Sequence, residues 1–163
     1  MNTGVMFSKA SDEWSTPQDL FSELNLEFEF IWDLAASKDN SKCGSYYYGP
    51  DHVDLNRRDA LACRWVGSVV PGALWLNPPY SQCREFIEKA AASAKAGATV
   101  VCLVPSRTDT RWWHAHVWDR ETHQPQHGVE IRFLKGRLKF GGASAGAPFP
   151  SVVIVFRPTG EPR

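Results

Sequence analysis

At 163 residues and 43% hydrophobic, the chain carries enough apolar side chains for one domain with a real core and too few residues for two. Lys and Arg together number 18, as do Asp and Glu, which excludes a bulk affinity for nucleic acid or membrane and leaves any polyanion site to local clustering. Clustering is present: residues 1–33 hold seven acids against Lys9 alone, whereas Arg107, Arg111, Arg132, Lys135, Arg137 and Lys139 populate the later half. Cys43, Cys63, Cys83 and Cys102 are spaced by roughly twenty residues, without the close pairs that grip zinc, and read as reduced structural thiols. No apolar run reaches the length of a membrane span and the N-terminus lacks a signal-peptide core, so a soluble cytoplasmic protein without a membrane partner is expected.

Residues 1–11 are small and polar and read as a flexible N-terminus; 12–158 read as the single domain and 159–163 as a tail. "STPQDLFSEL" predicts a helix start, with Ser15 or Thr16 as cap, Pro17 in the first turn and Leu20, Phe21 and Leu24 on one face. "LEFEFIWDLAAS" alternates acidic and aromatic residues and then turns apolar, which predicts a strand emptying into a loop at Asp33. Residues 38–60 are polar and irregular around Tyr46, Tyr47 and Tyr48. "GALWLNPPY" predicts a buried strand halted by proline, "SQCREFIEKAAASAKAG" a helix ended by Gly97, and "ATVVCLVP" a second buried strand. That order is the parallel crossover unit of an α/β sheet. "TRWWHAHVW" predicts a short helix, "VEIRFLKGRLKF" a hairpin turning at Lys135-Gly136, and "PSVVIVF" a last strand.

Ligand sites in such sheets lie where strands release their carboxyl ends into loops, here at Asp33, Asn77 and Pro105. At the second of these, Pro78 and Pro79 hold the backbone extended and leave the Pro78 carbonyl as an acceptor, while Asn77 adds an amide oxygen. Two converging acceptors suit an NH₂ group, and Tyr80 offers a flat face for the planar ring or amide that carries it.

"NPPY" after an apolar strand resembles the catalytic motif of S-adenosylmethionine-dependent amino-methyltransferases. Together with "DEWSTP" (12–17), "IWDLAAS" (31–37), "VPSRTDTRWWH" (104–114) and "IRFLKGRLKF" followed by "APFPSVVIVF" (131–156), the set resembles the phage-type DNA N6-adenine methyltransferase family. The resemblance implies a Rossmann-like methyltransferase fold, α/β, with a mostly parallel sheet and an antiparallel C-terminal hairpin strand. It implies S-adenosylmethionine as cofactor, DNA as partner, and the cytoplasm of a bacterial host as the place of action. Carried onto matching positions, Asn77 and the Pro78 carbonyl accept from adenine N6, Pro79 shapes the turn, and Tyr80 stacks on a base flipped out of the helix. Flipping is required physically because a stacked, paired amino group is out of reach.

For the cofactor, the resemblance implies Trp14, Thr16, Pro17, Asp33, Ala35, Asp59 and Asn77; small residues after Asp33 replace the usual Gly-rich turn. Asp51 and Asp54 are further candidate carboxylates, and any of the three can equally be an ordinary turn residue. For DNA, Arg107 and Arg111 suit phosphates, Trp112 and Trp113 suit either packing or filling space beside a displaced base, and Lys135, Arg137 and Lys139 form a basic hairpin face. His114 and His116, without carboxylate or thiol nearby in sequence, do not make a metal site, and no metal is expected. A monomer is the expected state. A protein-glutamine methyltransferase and a non-catalytic DNA-binding module of the same fold are the alternative readings.

Overall fold

The computed structural model describes residues 15–65 and 72–160. The flexible N-terminus expected for residues 1–11, the cofactor role given to Trp14, and the end of the expected tail lie outside the described residues. Helix α1 runs from Gln18 to Phe28 and buries Phe21, Leu24 and Phe28. The sequence reading placed Leu26–Phe28 in a strand; they are helical because Phe28 continues the buried face set by Phe21 and Leu24. Leu26, on the other side of the helix, is 88% exposed. Glu29 stops the helix by taking a left-handed conformation, its N–H donating to the Asn25 carbonyl, while the Asn25 side chain accepts from Phe30. Strand β1 therefore begins only at Phe30 and ends at Asp33.

Strand β2 (Ala73–Leu76), helix α2 (Cys83–Lys95) and strand β3 (Thr99–Pro105) form the expected crossover, with β1, β2 and β3 mutually parallel. Helix α3 (Arg111–His116) follows, then a two-residue pair, β4 (Trp118–Asp119) with β5 (Gln124–Pro125), then β6 (Val129–Phe133) and β7 (Ser151–Phe156). The main sheet has the order β1-β2-β3-β7-β6, and β7 runs antiparallel to both its neighbours. The result is a mixed sheet with flanking helices, consistent with the Rossmann-like expectation.

One expectation fails here. Lys135-Gly136 does not turn a hairpin between 129–134 and 137–140; the partner of β6 is β7, across a connection of residues 134–150. The reason is burial. Every side chain of β7 is buried, so its second edge needs a backbone partner, and β6 supplies it. Leu134, Leu138 and Phe140 instead pack on the α1 side of the sheet, and Ala147 N–H closes the connection on the Leu138 carbonyl at 2.8 Å.

Alternation explains the continuous apolar runs. Ala73, Trp75, Val101, Leu103, Val153 and Val155 face α1, while Leu74, Leu76, Val100, Cys102, Ile154 and Phe156 face α2 and α3. Asp33 extends this sheet sideways through an isolated parallel bridge to Tyr47, which folds the irregular 38–60 segment over the end of β1. That fold-back needs Gly49: a β-carbon there would stand 1.7 Å from the Ala36 carbonyl oxygen. Gly49→Ala should therefore lower stability by about 2 kcal/mol, in the range of overpacked sites, visible as a lower urea midpoint. An unchanged midpoint would refute the close approach.

Candidate active site

Because β1, β2 and β3 are parallel, their carboxyl ends open on one side of the sheet, and β7 begins there, with Ser151 opposite Pro105. A cleft with about 830 Å³ of empty space, continuous with solvent, lies at the ends of β1 and β2. Thr16, Asp33, Ala35, Asp59, Asn77 and Pro79 all line it. Six of the residues singled out from sequence are thus gathered from positions spread over more than a third of the chain. Pro17 precedes α1, Pro78 is buried, and neither they nor Tyr80 are among the residues that line this cleft.

Asp33 is 3% exposed. Its Oδ2 accepts from the Lys42 N–H at 3.0 Å and its Oδ1 from the Ala35 N–H at 3.3 Å. Burial outweighs these bonds and pushes its pKa up to about 6. Its backbone bonds to Tyr46 and Tyr48 hold the carboxyl in place, so Asp33 is a fixed wall residue and not a helix cap.

Of the three loop carboxylates, only Asp59 reaches the cleft; its Oδ1 accepts from Leu61 and Ala62. Asp51 is held by the Lys38 N–H and the Tyr47 hydroxyl, and Asp54 by Asn56 and Arg57. Asn40, Lys42, Gly49 and Arg58 also line the cleft and were not singled out. The fold-back of the 38–60 segment brings them there, through the Asp33–Tyr47 bridge and the bonds of Lys42 to Asp33 and of Ala36 to Tyr48, and nothing local in the sequence signals it.

Neither Ser15 nor Thr16 caps α1. Pro17 occupies the cap position, without a side-chain bond, and the Thr16 hydroxyl instead accepts from Asn77 Nδ2 at 3.0 Å. Beyond Asn77 the chain turns tightly: the Gln82 N–H takes the Pro79 carbonyl at 3.0 Å, and a single 3₁₀ turn (Tyr80–Gln82) leads into α2. Thus the turn engages the carbonyl of Pro79. The Tyr80 ring is half-buried and meets Phe149 edge-on at 4.9 Å, and Phe149 in turn packs against Phe140. Burial also pushes the Tyr80 phenol up, so it stays neutral at physiological pH. Phe140 and Phe149 were not among the expected site residues, because their contact with Tyr80 depends on how the 134–150 connection folds back.

The connection is tied to the site at two further points. The Ser106 N–H donates to the Pro150 carbonyl and the Gly141 N–H to the Ser15 carbonyl, both at 2.9 Å. Arg107, Arg111, Lys135, Arg137 and Lys139 are exposed on the loops so joined, and Arg107 is near enough to Cys83 to pull its thiol pKa down against the larger effect of burial. Trp112 is buried in the core with Trp113, which assigns it to packing, one of the two roles its sequence context allowed.

These features define an α/β domain whose ligand cleft opens at the carboxyl ends of parallel strands, walled by a buried carboxylate and closed by an Asn-Pro-Pro-Tyr turn. Residues 5–163 match the DNA N-6-adenine-methyltransferase (Dam) family, and the chain belongs to that family. It is similar to the DNA N-6-adenine-methyltransferase of Escherichia phage T1, with 27% identity over 128 residues, which are 78% of this chain and 46% of that relative. The chain therefore spans about half the length of the curated relative it matches.

Asp33 generates a prediction with a definite sign. Its pKa is higher folded, about 6, than its ordinary value of 3.8, so its contribution to stability is fully present below that lower value and is lost as the pH rises through about 6. Between about pH 3.5 and about pH 7.5, the unfolding free energy of the wild type should fall relative to Asp33→Asn by about 2–3 kcal/mol. Urea unfolding of both proteins across that range measures it; a difference that does not change with pH would show the carboxyl to be well solvated.

Proposed function

We propose that this protein transfers a methyl group from S-adenosylmethionine to the N6 amino group of adenine in DNA, acting in the cytoplasm of a bacterial host. The observation that carries the reading is the placement of Asn77 and Pro79 on the wall of the cleft that Asp33 also lines. In this reading the same short turn serves the cofactor through Asn77 and the target base through Tyr80. Family membership supports the reaction class.

The cleft suits the cofactor. Asp33 supplies a carboxylate, ionised above about pH 6, for the ammonium group of the methionine part. Ala35 and Gly49 keep the wall low so that backbone can approach the ligand, and Asp59, on the same wall, offers an acceptor for a ribose hydroxyl. Trp14 and Pro17 belong to the cofactor segment in this reading. Phe86 and Leu61 offer apolar contact for a purine. Bound S-adenosylmethionine supplies a methyl group already activated on a sulfonium.

The protein has orientation and charge left to provide. The Asn77 amide oxygen and the Pro78 carbonyl accept the hydrogens of adenine N6 and take up positive charge developing there. Pro79 fixes the turn that holds them, and Tyr80, braced by Phe149, stacks on the flipped base. Arg107, Arg111, Lys135, Arg137 and Lys139 grip the phosphates on either side. The chain acts as a Rossmann-like methyltransferase monomer in this reading.

Incubating the pure protein with radiolabelled S-adenosylmethionine, duplex DNA and a glutamine-bearing peptide tests the reaction. Label should enter N6-methyladenine, and Asn77→Ala should reduce turnover by about 100-fold or more while cofactor binding persists. Label in the peptide alone, or in neither substrate, would overturn the proposal. Replacing Lys135 and Arg137 together should weaken DNA binding and flatten the plot of log affinity against log salt by about two. An unaltered slope would remove that loop from the DNA contact.

A further inference from the structure

The cleft wall on the Asp59 side has no sheet to hold it. Residues 59–63 form a turn that belongs to no helix or strand, yet Asp59, Ala60 and Leu61 all line the cleft. A turn keeps a ligand-ready shape only if its backbone groups are engaged. The N–H groups are met from within. Asp59 Oδ1 accepts from Leu61 at 2.9 Å and from Ala62 at 3.2 Å, and the Asp59 carbonyl accepts from Ala62 and Cys63. Both side-chain bonds use Oδ1, so Oδ2 is not spent on the turn.

The carbonyls are met from outside, chiefly by α2. Lys89 Nζ donates to the Leu61 carbonyl at 2.7 Å and to the Cys63 carbonyl, and Trp65 Nε1 donates to the Ala60 carbonyl at 2.8 Å. An ammonium only donates and a carbonyl only accepts, so the sense of each bond is fixed. Lys89 lies one helical turn beyond Phe86, which lines the cleft. Its Nζ stands 5.3 Å from the centre of the Trp65 ring, and that ring stacks on Phe86 at 6.4 Å. Burial lowers the Lys89 pKa, so the cation is kept here at a cost that a solvent-facing lysine would avoid.

We propose that Lys89 is a positioning residue for the cofactor: its ammonium ties the 59–63 turn to α2 and so holds the Asp59 carboxylate and the Ala60–Leu61 wall in place before S-adenosylmethionine binds. This rests on the cofactor reading of the cleft given above. Lys89 does not itself line the cleft. It acts through the turn, because a wall ordered in advance spares the ligand the cost of ordering it.

Lys89→Met keeps the stem beside Trp65 and removes the donor. Amide exchange at residues 61–63 of the ligand-free protein should speed up by about 10-fold or more, with β2 and β3 unchanged. The Kd for S-adenosylmethionine, measured by calorimetry, should rise on the order of 10-fold, and Lys89→Arg should recover most of the affinity. With DNA and cofactor both saturating, kcat should stay within about 3-fold of wild type. Trp65→Phe removes the bond to Ala60 and keeps an aromatic ring; it should move exchange and Kd in the same direction, and it serves for the comparison if Lys89→Met does not fold. A wild type that does not bind S-adenosylmethionine would overturn the cofactor reading, and the positioning role with it. With a wild type that binds, the role alone is overturned by unchanged exchange at 61–63, by a variant Kd within about 3-fold, or by a fall in kcat without a rise in Kd.

Discussion

All four residues of β2 are buried, and the strand is hydrogen-bonded on both edges, to β1 and to β3. Within the strand only Trp75 borders the cleft, and it is almost wholly covered. The first polar residue at the cleft is Asn77, immediately beyond the strand, and the site depends on that constraint. The same argument applies to β1, whose last residue, Asp33, is the point where strand gives way to cleft. Since β1 and β2 are parallel neighbours, their ends are adjacent, and a carboxylate and an amide far apart in sequence come to line one cleft.

Asp33 shows how such a site is held ready at a cost to the fold. Two backbone N–H groups fix the carboxyl, but not enough to offset its removal from water, and its pKa rises accordingly. An apolar residue there would suit the core better, and would have nothing to offer a cation. Perturbed groups of this kind collect at functional sites for that reason. Thr16 makes a related exchange, giving up a cap on α1 for a bond to Asn77.

The second half of the site is built from the long connection between β6 and β7. Phe149 braces Tyr80, the Ser106–Pro150 bond aligns that connection with the loop after β3, and the Gly141–Ser15 bond brings it against the segment that begins the domain. Cleft, turn and basic loops therefore share contacts, so displacement of one is felt by the others.

By itself the sequence determined the elements whose signal is local. The runs "ALWL" and "VVCLVP" are apolar throughout because both faces of those strands are covered, and the residues after β1 and β2 pointed to the cleft at their carboxyl ends. It misplaced the end of α1, because alternating acids and aromatics over 27–30 fit a strand as well as the last turn of a helix; packing of Phe28 beside Leu24 decided the matter. It placed a hairpin at Lys135-Gly136, because a glycine between two amphipathic runs is a sound local turn signal; the unmet edge of β7 outweighed it. Only the tertiary structure could choose Asp59 among three equivalent loop carboxylates, add Phe149 to Tyr80, and join Thr16 to Asn77. Local patterning specifies which residues will be helix, strand or strand end, whereas the pairing of strands and the closure of loops decide which distant side chains meet, and a site consists of those meetings.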